Sequence, residues 1–331
     1  MIEGTTMTDS ARAPLPESPF LLERLMRLAR RDAEQAGFAS EEEFRADLQG
    51  RLDDGLQERY LGSLENNPVE MAQELAFQAY ECEDETQAVE LTEKALELDP
   101  RCVDALTLQA FLTAPGAGEL IGLLEHAATV AEEDLGEEFF AEFMGDFWPM
   151  VEARPYMRCI KQLAEVLWNV GRRLDAVAHY ENLLDLDPAD HMGNCALLLG
   201  YYLSMGEVQR SWDLLEDIDD EVSAVHNWAW VLLFLLVGDE EGARQSLDHA
   251  LDQNPYVAPL LIGMGTDEEY DLPVAIKTGT EDEAHYCLQV LGEAWSRAEP
   301  ARWWLFDTLD AMGLVPGEDE DASDSAGKSA H

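Results

Sequence analysis

Apolar residues recur along this chain at the three- and four-residue intervals that line one face of a helix, and the pattern predicts an all-α fold. Pro19 stands where a first helical turn tolerates proline and opens an amphipathic stretch that runs to Ala36, where Gly37 ends it. Ser40 followed by Glu43 has the spacing of a capping box, which predicts a second helix from Ser40, and a third is expected over Gly55 to Leu64. Residues 1–17 are polar, carry Pro14 and Pro16 and read as a loose arm. Residues 316–331 are acidic, small and without apolar anchors, and read as a disordered tail.

Between these ends three segments share one grammar. From Val69 to Pro100, Leu75 and Ala76 fall on a first helix and Ala88 on a second, and Ala95-Leu96 precede Leu98-Asp99-Pro100. From Met157 to Pro188 the same order gives Leu163-Ala164, Gly171, Ala176, Tyr180, Leu183-Leu184 and Leu186-Asp187-Pro188. From Ala224 to Pro255 it gives Trp230, Gly238, Ala243, Leu247, Ala250-Leu251 and Asn254-Pro255. Small residues such as Ala76, Ala164, Ala176 and Ala243 let two helices approach, and Leu163, Tyr180 and Trp230 fill the gap to the next pair. Glycine supplies the turn, and the terminal prolines stop the second helix.

Degenerate copies fill the intervals: Val103 to Val130, with Leu120, Leu124 and Ala127 on its second helix, and His191 to Asp217, with Gly206 at the turn. The spacing of 67 residues from Pro188 to Pro255 is close to two repeats, whereas 88 residues separate Pro100 from Pro188, so an insertion lies near residues 131–154. These segments resemble the tetratricopeptide repeat, a helix-turn-helix unit of about 34 residues. The resemblance implies a right-handed α-solenoid of about five units. Repeats are expected over 67–130 and 155–260, with an N-terminal helical cap over 18–66 and a C-terminal one over 261–315.

A narrower resemblance rests on two blocks. Phe147-Trp148 followed by Arg154-Pro155-Tyr156-Met157-Arg158 is similar to a hallmark of bacterial repeat proteins related to the suppressor-of-tumorigenicity-7 family. The stretch Asn254 to Gly263, then Gly279 to Ala284 and Glu293-Ala294-Trp295, resembles that family's C-terminal part. The chain departs from it at Ala153, where threonine is frequent, and over Asp185 to Gly193, where the family has an asparagine-rich turn. It also lacks the membrane-spanning segments of the animal relatives. No catalytic residue comes with the resemblance.

Charge changes the picture more than size does. Lys and Arg number 21 against 69 Asp and Glu, a formal charge of −48, which repels phosphate backbones and anionic lipid and so argues against nucleic acid and membrane surfaces as partners. The longest apolar run, Trp228 to Val237, has ten residues, about half of the roughly 20 that cross a bilayer. Five scattered cysteines without a CxxC pair indicate neither a disulfide framework nor a zinc knuckle, and a reduced, cytoplasmic setting is expected. The opening stretch does not read as a secretory signal, and Met7 offers an alternative start.

Within so acidic a chain the basic cluster on the segment after the insertion is the candidate site. Arg154, Arg158 and Lys161 fall at i, i+4 and i+7, with Tyr156 and Trp168 nearby and Arg172-Arg173 at the following turn. A cationic strip of this kind suits an acidic peptide or a C-terminal carboxylate held in the repeat groove. The competing reading pairs these arginines with neighbours such as Glu152, Glu165 and Asp185. Lys161 suits a carboxylate clamp, but Glu165 stands where that clamp needs asparagine. The aromatic run Phe139, Phe140, Phe143, Phe147 and Trp148 is either a lid or dimer surface, or a stripe sealing the junction between units.

Catalytic and metal motifs are lacking: the histidines are dispersed, with no HExxH, and there is no GxSxG elbow or phosphate loop. Asp185, Asp187 and Asp190 lack the glycine and distal glutamate of a calcium loop. The expectation is a non-catalytic scaffold or adaptor without cofactor or metal, the alternative an accessory subunit or homodimer joined through the aromatic insertion. Self-repulsion across the acidic surface is screened by salt. The melting temperature is therefore expected to rise from low to molar NaCl, and a flat or falling curve counts against a stability limited by that repulsion.

Overall fold

The computed structural model describes residues 18–36 (side chains to Arg31), 64, 67–218, 223–263, 270–273 and 275–315. Among them are fourteen helices and no strand. The arm, the helices expected from Ser40 and over Gly55–Leu64 (apart from Leu64 itself), and the acidic tail lie outside the described residues. The chain divides into two compact units, Met1–Pro188 and Ala189–His331.

In the first unit α1 spans Leu21–Ala36, as the pattern from Pro19 predicts. Three helix pairs follow: α2 (Pro68–Tyr80) with α3 (Glu85–Leu98), α4 (Val103–Thr113) with α5 (Ala117–Phe143), and α6 (Arg154–Asn169) with α7 (Arg173–Leu186). Local chemistry sets their starts. Asn67 accepts from the Glu70 N–H with Pro68 in the first turn, and Asp84 accepts from the Gln87 N–H. The partners of each pair pack together, and the first helices also lie side by side, α2 against α4 and α4 against α6. Ala76, Ala164 and Ala176 are fully buried where helices meet, and Leu163 and Tyr180 fill the core.

The expected boundary at 130/131 is not a break in structure. Helix α5 runs through it and bends only at Gly136, whose φ of 76° with ψ of 158° favours glycine. Beyond that bend Phe139 and Phe140 turn toward Phe147, which is fully buried, Phe143 packs on Phe139, and the Phe147 N–H bonds to the Leu186 carbonyl.

The second unit holds the pairs α8 (Asn194–Met205) with α9 (Val208–Asp217) and α10 (Ala224–Val237) with α11 (Glu240–Gln253), then α12 (Val257–Leu261), α13 (Glu281–Arg297) and α14 (Glu299–Ala311). Gly206 and Gly238 close α8 and α10 in the left-handed conformation, as their place in the repeat grammar predicts. The apolar run of α10 is consumed by this unit's core, where the Trp228 and Trp295 rings meet at 6.3 Å. No helix of the described residues is long and apolar enough to cross a membrane.

One carboxylate ties the C-terminal blocks together. Glu283, in the first turn of α13, accepts from the Ala224 N–H that opens α10, from Asn254 Nδ2 at the end of α11 and from the Gly279 N–H. A negative charge at the N-terminus of α10 also complements the positive end of that helix. Helix α13 packs across α8 and α10 so closely that a Cβ at Gly200 of α8 would lie 2.3 Å from the Val290 carbonyl oxygen.

Gly200→Ala is therefore expected to destabilise by on the order of 1–3 kcal/mol, although alanine is the better helix former by about 1 kcal/mol. Gly122→Ala, on the exposed side of α5 with no atom within 4 Å of the new Cβ, is expected to stabilise by roughly 0.5–1 kcal/mol. Denaturant unfolding of the two full-length variants checks the opposite signs.

Candidate functional site

The face shared by α2, α4 and α6 carries the chain's densest set of buried charges. On α4, Asp104 is 0% exposed and accepts from Gln73 Nε2 of α2 at 2.6 Å. On α6, Arg158 donates to the same carboxylate through Nε at 3.0 Å and Nη2 at 2.5 Å. Burial works against the guanidinium charge, but Asp104 and Glu23 hold its pKa well above the ordinary arginine value. Arg154, one turn earlier, is 4% exposed, lies 4.5 Å from the Trp148 ring and donates Nε to the Trp148 carbonyl. Its pKa is pushed down by burial, which Glu23 at 3.9 Å only partly offsets.

Helix α1 lies on this face. Its Glu23 is 4% exposed and accepts from Arg158 Nη1 at 2.7 Å, bridging it to α6. Arg24 reaches across α2 and donates to both Glu74 and Glu81, with Nε–Oε2 and Nη1–Oε1 distances of 2.8 Å. Burial alone would raise the Glu81 carboxyl, but hydrogen bonds from Arg24 and Ser18 hold it below its ordinary value. Arg27 donates to the Val151 carbonyl at 3.2 Å and lies 3.5 Å from Glu70, and Arg30 pairs with Glu152. Ahead of these, Phe20 stacks on Phe77 at 4.6 Å and 19°, with the Arg158 guanidinium 5.4 Å from its centroid.

The candidate residues read from sequence therefore separate. Arg154 and Arg158 meet in the network, but their partners are Glu23, Asp104 and Trp148 rather than Glu165 or Asp185; Glu152 pairs with Arg30. Lys161 is half-buried on α6 near Glu165, whose carboxyl is raised by burial and lowered in part by the Lys161 charge. Tyr156 faces elsewhere: its ring meets Phe140 edge-on at 5.4 Å and its hydroxyl donates to Glu132. Arg173 covers the Trp168 ring at 4.6 Å, and Arg172 pairs with Asp175 and Glu125 in solvent. These seven side chains do not form one continuous strip.

Sequence reasoning missed Glu23, Arg24 and Arg27 on α1, and Gln73, Glu74 and Asp104 opposite them. Two signals were present. Asp104 is the one charged residue of the helix Val103–Thr113, and Arg24, Arg27, Arg30 and Arg31 place four of the 21 basic residues within eight positions.

Burial pushes the Cys159 thiol up to about 11 and that of Cys102 up to about 12, the opposite of an activated nucleophile. Asp190 accepts from the Asn194 and Cys195 N–H groups and so caps α8. Among the described residues no group of three or more His, Cys, Asp or Glu side chains could hold a metal. No protein-family model matches the chain, and no curated protein sequence matches it.

Removing one member of a buried ion network leaves its partners charged and dry. Arg158→Met, which strands Asp104 and Glu23, is expected to destabilise by on the order of 3–5 kcal/mol. Arg172→Met, which removes an exposed pair, should change stability by less than about 1 kcal/mol. Urea unfolding of both variants checks the difference; equal shifts would remove the network from any structural role.

Proposed function

We propose that this chain is a non-catalytic scaffold or adaptor that receives a peptide or protein segment on the first-helix face of stacked tetratricopeptide-type hairpins. On this reading the hairpins form a right-handed α-solenoid of about five units with helical caps. Support comes from the order of contacts. First helices approach first helices, with no comparably close approach of α3 to α5 or of α5 to α7, as expected when a row of pairs bends with its first helices on the inner side.

The observation that carries the proposal is that the face of α2, α4 and α6 already holds a helix from outside the repeats. It does so through paired charges and one stacked ring, the chemistry of groove recognition. The alternative, an accessory subunit or homodimer joined through the aromatic insertion, has less support, because those rings are directed at one another and at Tyr156.

Affinity purification of the full chain from its native source tests the proposal, with a carboxylate-reactive crosslinker suited to its 69 acids and mass spectrometry to locate the links. A stable partner linked to acids bordering the first helices of either unit is the expected result. Recovery of the chain alone, uncrosslinked at low and moderate salt, would overturn it.

A further inference from the structure

We infer that α1 is an exchangeable occupant of the α2/α4/α6 groove, and that the groove's external ligand is a helical segment of another protein presenting Phe, Glu and Arg at the relative spacing of Phe20, Glu23, Arg24 and Arg27. This rests on the scaffold reading and deepens it by naming the chemistry of the partner.

The first reason is the manner of contact. On this face α1 is held by the tips of long side chains: Glu23 on Arg158, Arg24 on Glu74 and Glu81, and Arg27 on the Val151 carbonyl. Its apolar anchors among the described residues include Phe20 on Phe77 and Tyr80, and Leu28 against Leu64 and Met71. Helix α13 of the second unit provides the contrast. It too lies across first helices, but through a glycine-tight backbone approach and buried Cys287, Leu291, Ala294 and Trp295. Such a helix cannot leave without opening the core.

The second reason is that the groove remains satisfied when α1 leaves. Arg158 keeps both hydrogen bonds to Asp104, Asp104 keeps Gln73, and Arg154 keeps the Trp148 ring and carbonyl. Glu70, Glu74 and Glu81 would return to water. Arg154 gives up Glu23 and the Met26 sulfur but keeps the Trp148 carbonyl and ring, and the fully buried Asp104 stays paired, so the exchange avoids the penalty of breaking that pair. The fit is also incomplete, since Arg27 Nε is buried without an acceptor.

Charge then selects the ligand. In a chain of net −48, Leu21–Ala36 carries four arginines against three acids. The groove is its complement, with an acidic rim of Glu70, Glu74, Glu81 and Glu152 around a basic centre of Arg154 and Arg158. A segment with glutamate at the centre, arginines one residue and one turn onward, and an aromatic ring in the turn before fits this arrangement. A purely acidic peptide does not, because it would meet the glutamate rim.

The test uses the full chain and a fluorescent peptide of residues 18–36. A tether presents α1 at an effective concentration of roughly millimolar, so wild-type chain should bind the peptide weakly. In a released chain carrying Phe20→Ala and Arg24→Glu, the latter facing Glu74 and Glu81, binding should tighten at least tenfold by fluorescence anisotropy. In a chain released instead by Phe20→Ala and Glu23→Arg, whose own Arg24 is retained, adding Glu81→Arg should reverse the preference, so that a peptide with Arg24→Glu binds more tightly than the natural one. A merely structural role for α1 would not produce that reversal.

Three outcomes overturn the inference: no gain in binding on release, loss of cooperative unfolding in the released chain, or a concentration-dependent dimer of the wild type that exchanges α1 between copies. If peptide binding fails while crosslinking still recovers a partner, only the exchange is refuted and the scaffold reading stands. If the peptide binds but the native source yields no partner, the scaffold reading and the external ligand are refuted and only the exchange of α1 stands.

Discussion

Arg158 is shared between two carboxylates, Asp104 and Glu23, and the first unit is organised around that sharing. A guanidinium presents donors in a fixed planar fork, so it can bind one carboxylate through Nε and Nη2 and still offer Nη1 to another. The first carboxylate belongs to a neighbouring repeat helix and the second to α1. The same side chain therefore links α4 to α6 and links that pair to the helix above them. A hydrophobic contact in its place would glue all three elements without distinction. The ion triad instead fixes the register of α1 along the groove, because Glu23 must reach Arg158 while Arg24 reaches Glu74 and Glu81.

Two uses of one face follow from different interfacial chemistry. In the second unit the face of α8 and α10 is closed by α13 through glycine-tight packing and buried tryptophans, a contact whose free energy comes from apolar area and close fit. In the first unit the described contacts of α1 on the equivalent face are paired charges, the Phe20 ring and Leu28. Buried ion pairs add little net stability, since desolvation offsets most of the attraction, but they discriminate strongly among occupants. The first arrangement suits permanence and the second suits choice.

Most of the helical layout was legible in sequence because its causes are local. Prolines that end helices and glycines with positive φ at Gly206 and Gly238 act within one or two turns, and the repeat grammar placed them; the caps Asn67 and Asp84 are equally local but were not read from it. The insertion was legible only in outline: the length between prolines revealed extra residues, but not that α5 would absorb thirteen of them before ending at Phe143. The site was the least legible. Periodicity tells which face of a helix is buried, whereas the partner of a buried charge is set by tertiary contact. Arg158 had acids at hand in sequence, yet the two it binds are Asp104 and Glu23, 54 and 135 positions away. The cluster on α1 has a higher density of arginine than the one singled out on α6, and it was passed over because the helix reads as an ordinary amphipathic cap.

Net charge supplies the last link between fold and function. A field from −48 charges draws basic segments toward the surface over distances of about a Debye length, near 8 Å at physiological ionic strength, and repels acidic ones before contact. Long-range attraction alone would gather any cation on any part of the molecule. What localises it is that arginine and glutamate alternate in the groove, so an occupant must carry the inverse alternation at helical spacing to keep every close pair opposite in sign. On the proposed reading the field would govern how fast a basic helix arrives, while Arg158, Glu74 and Glu81 would govern which helix stays. The two scale differently with salt: the exposed field is screened, whereas the pair between Glu23 and Arg158, withdrawn from water, is screened much less.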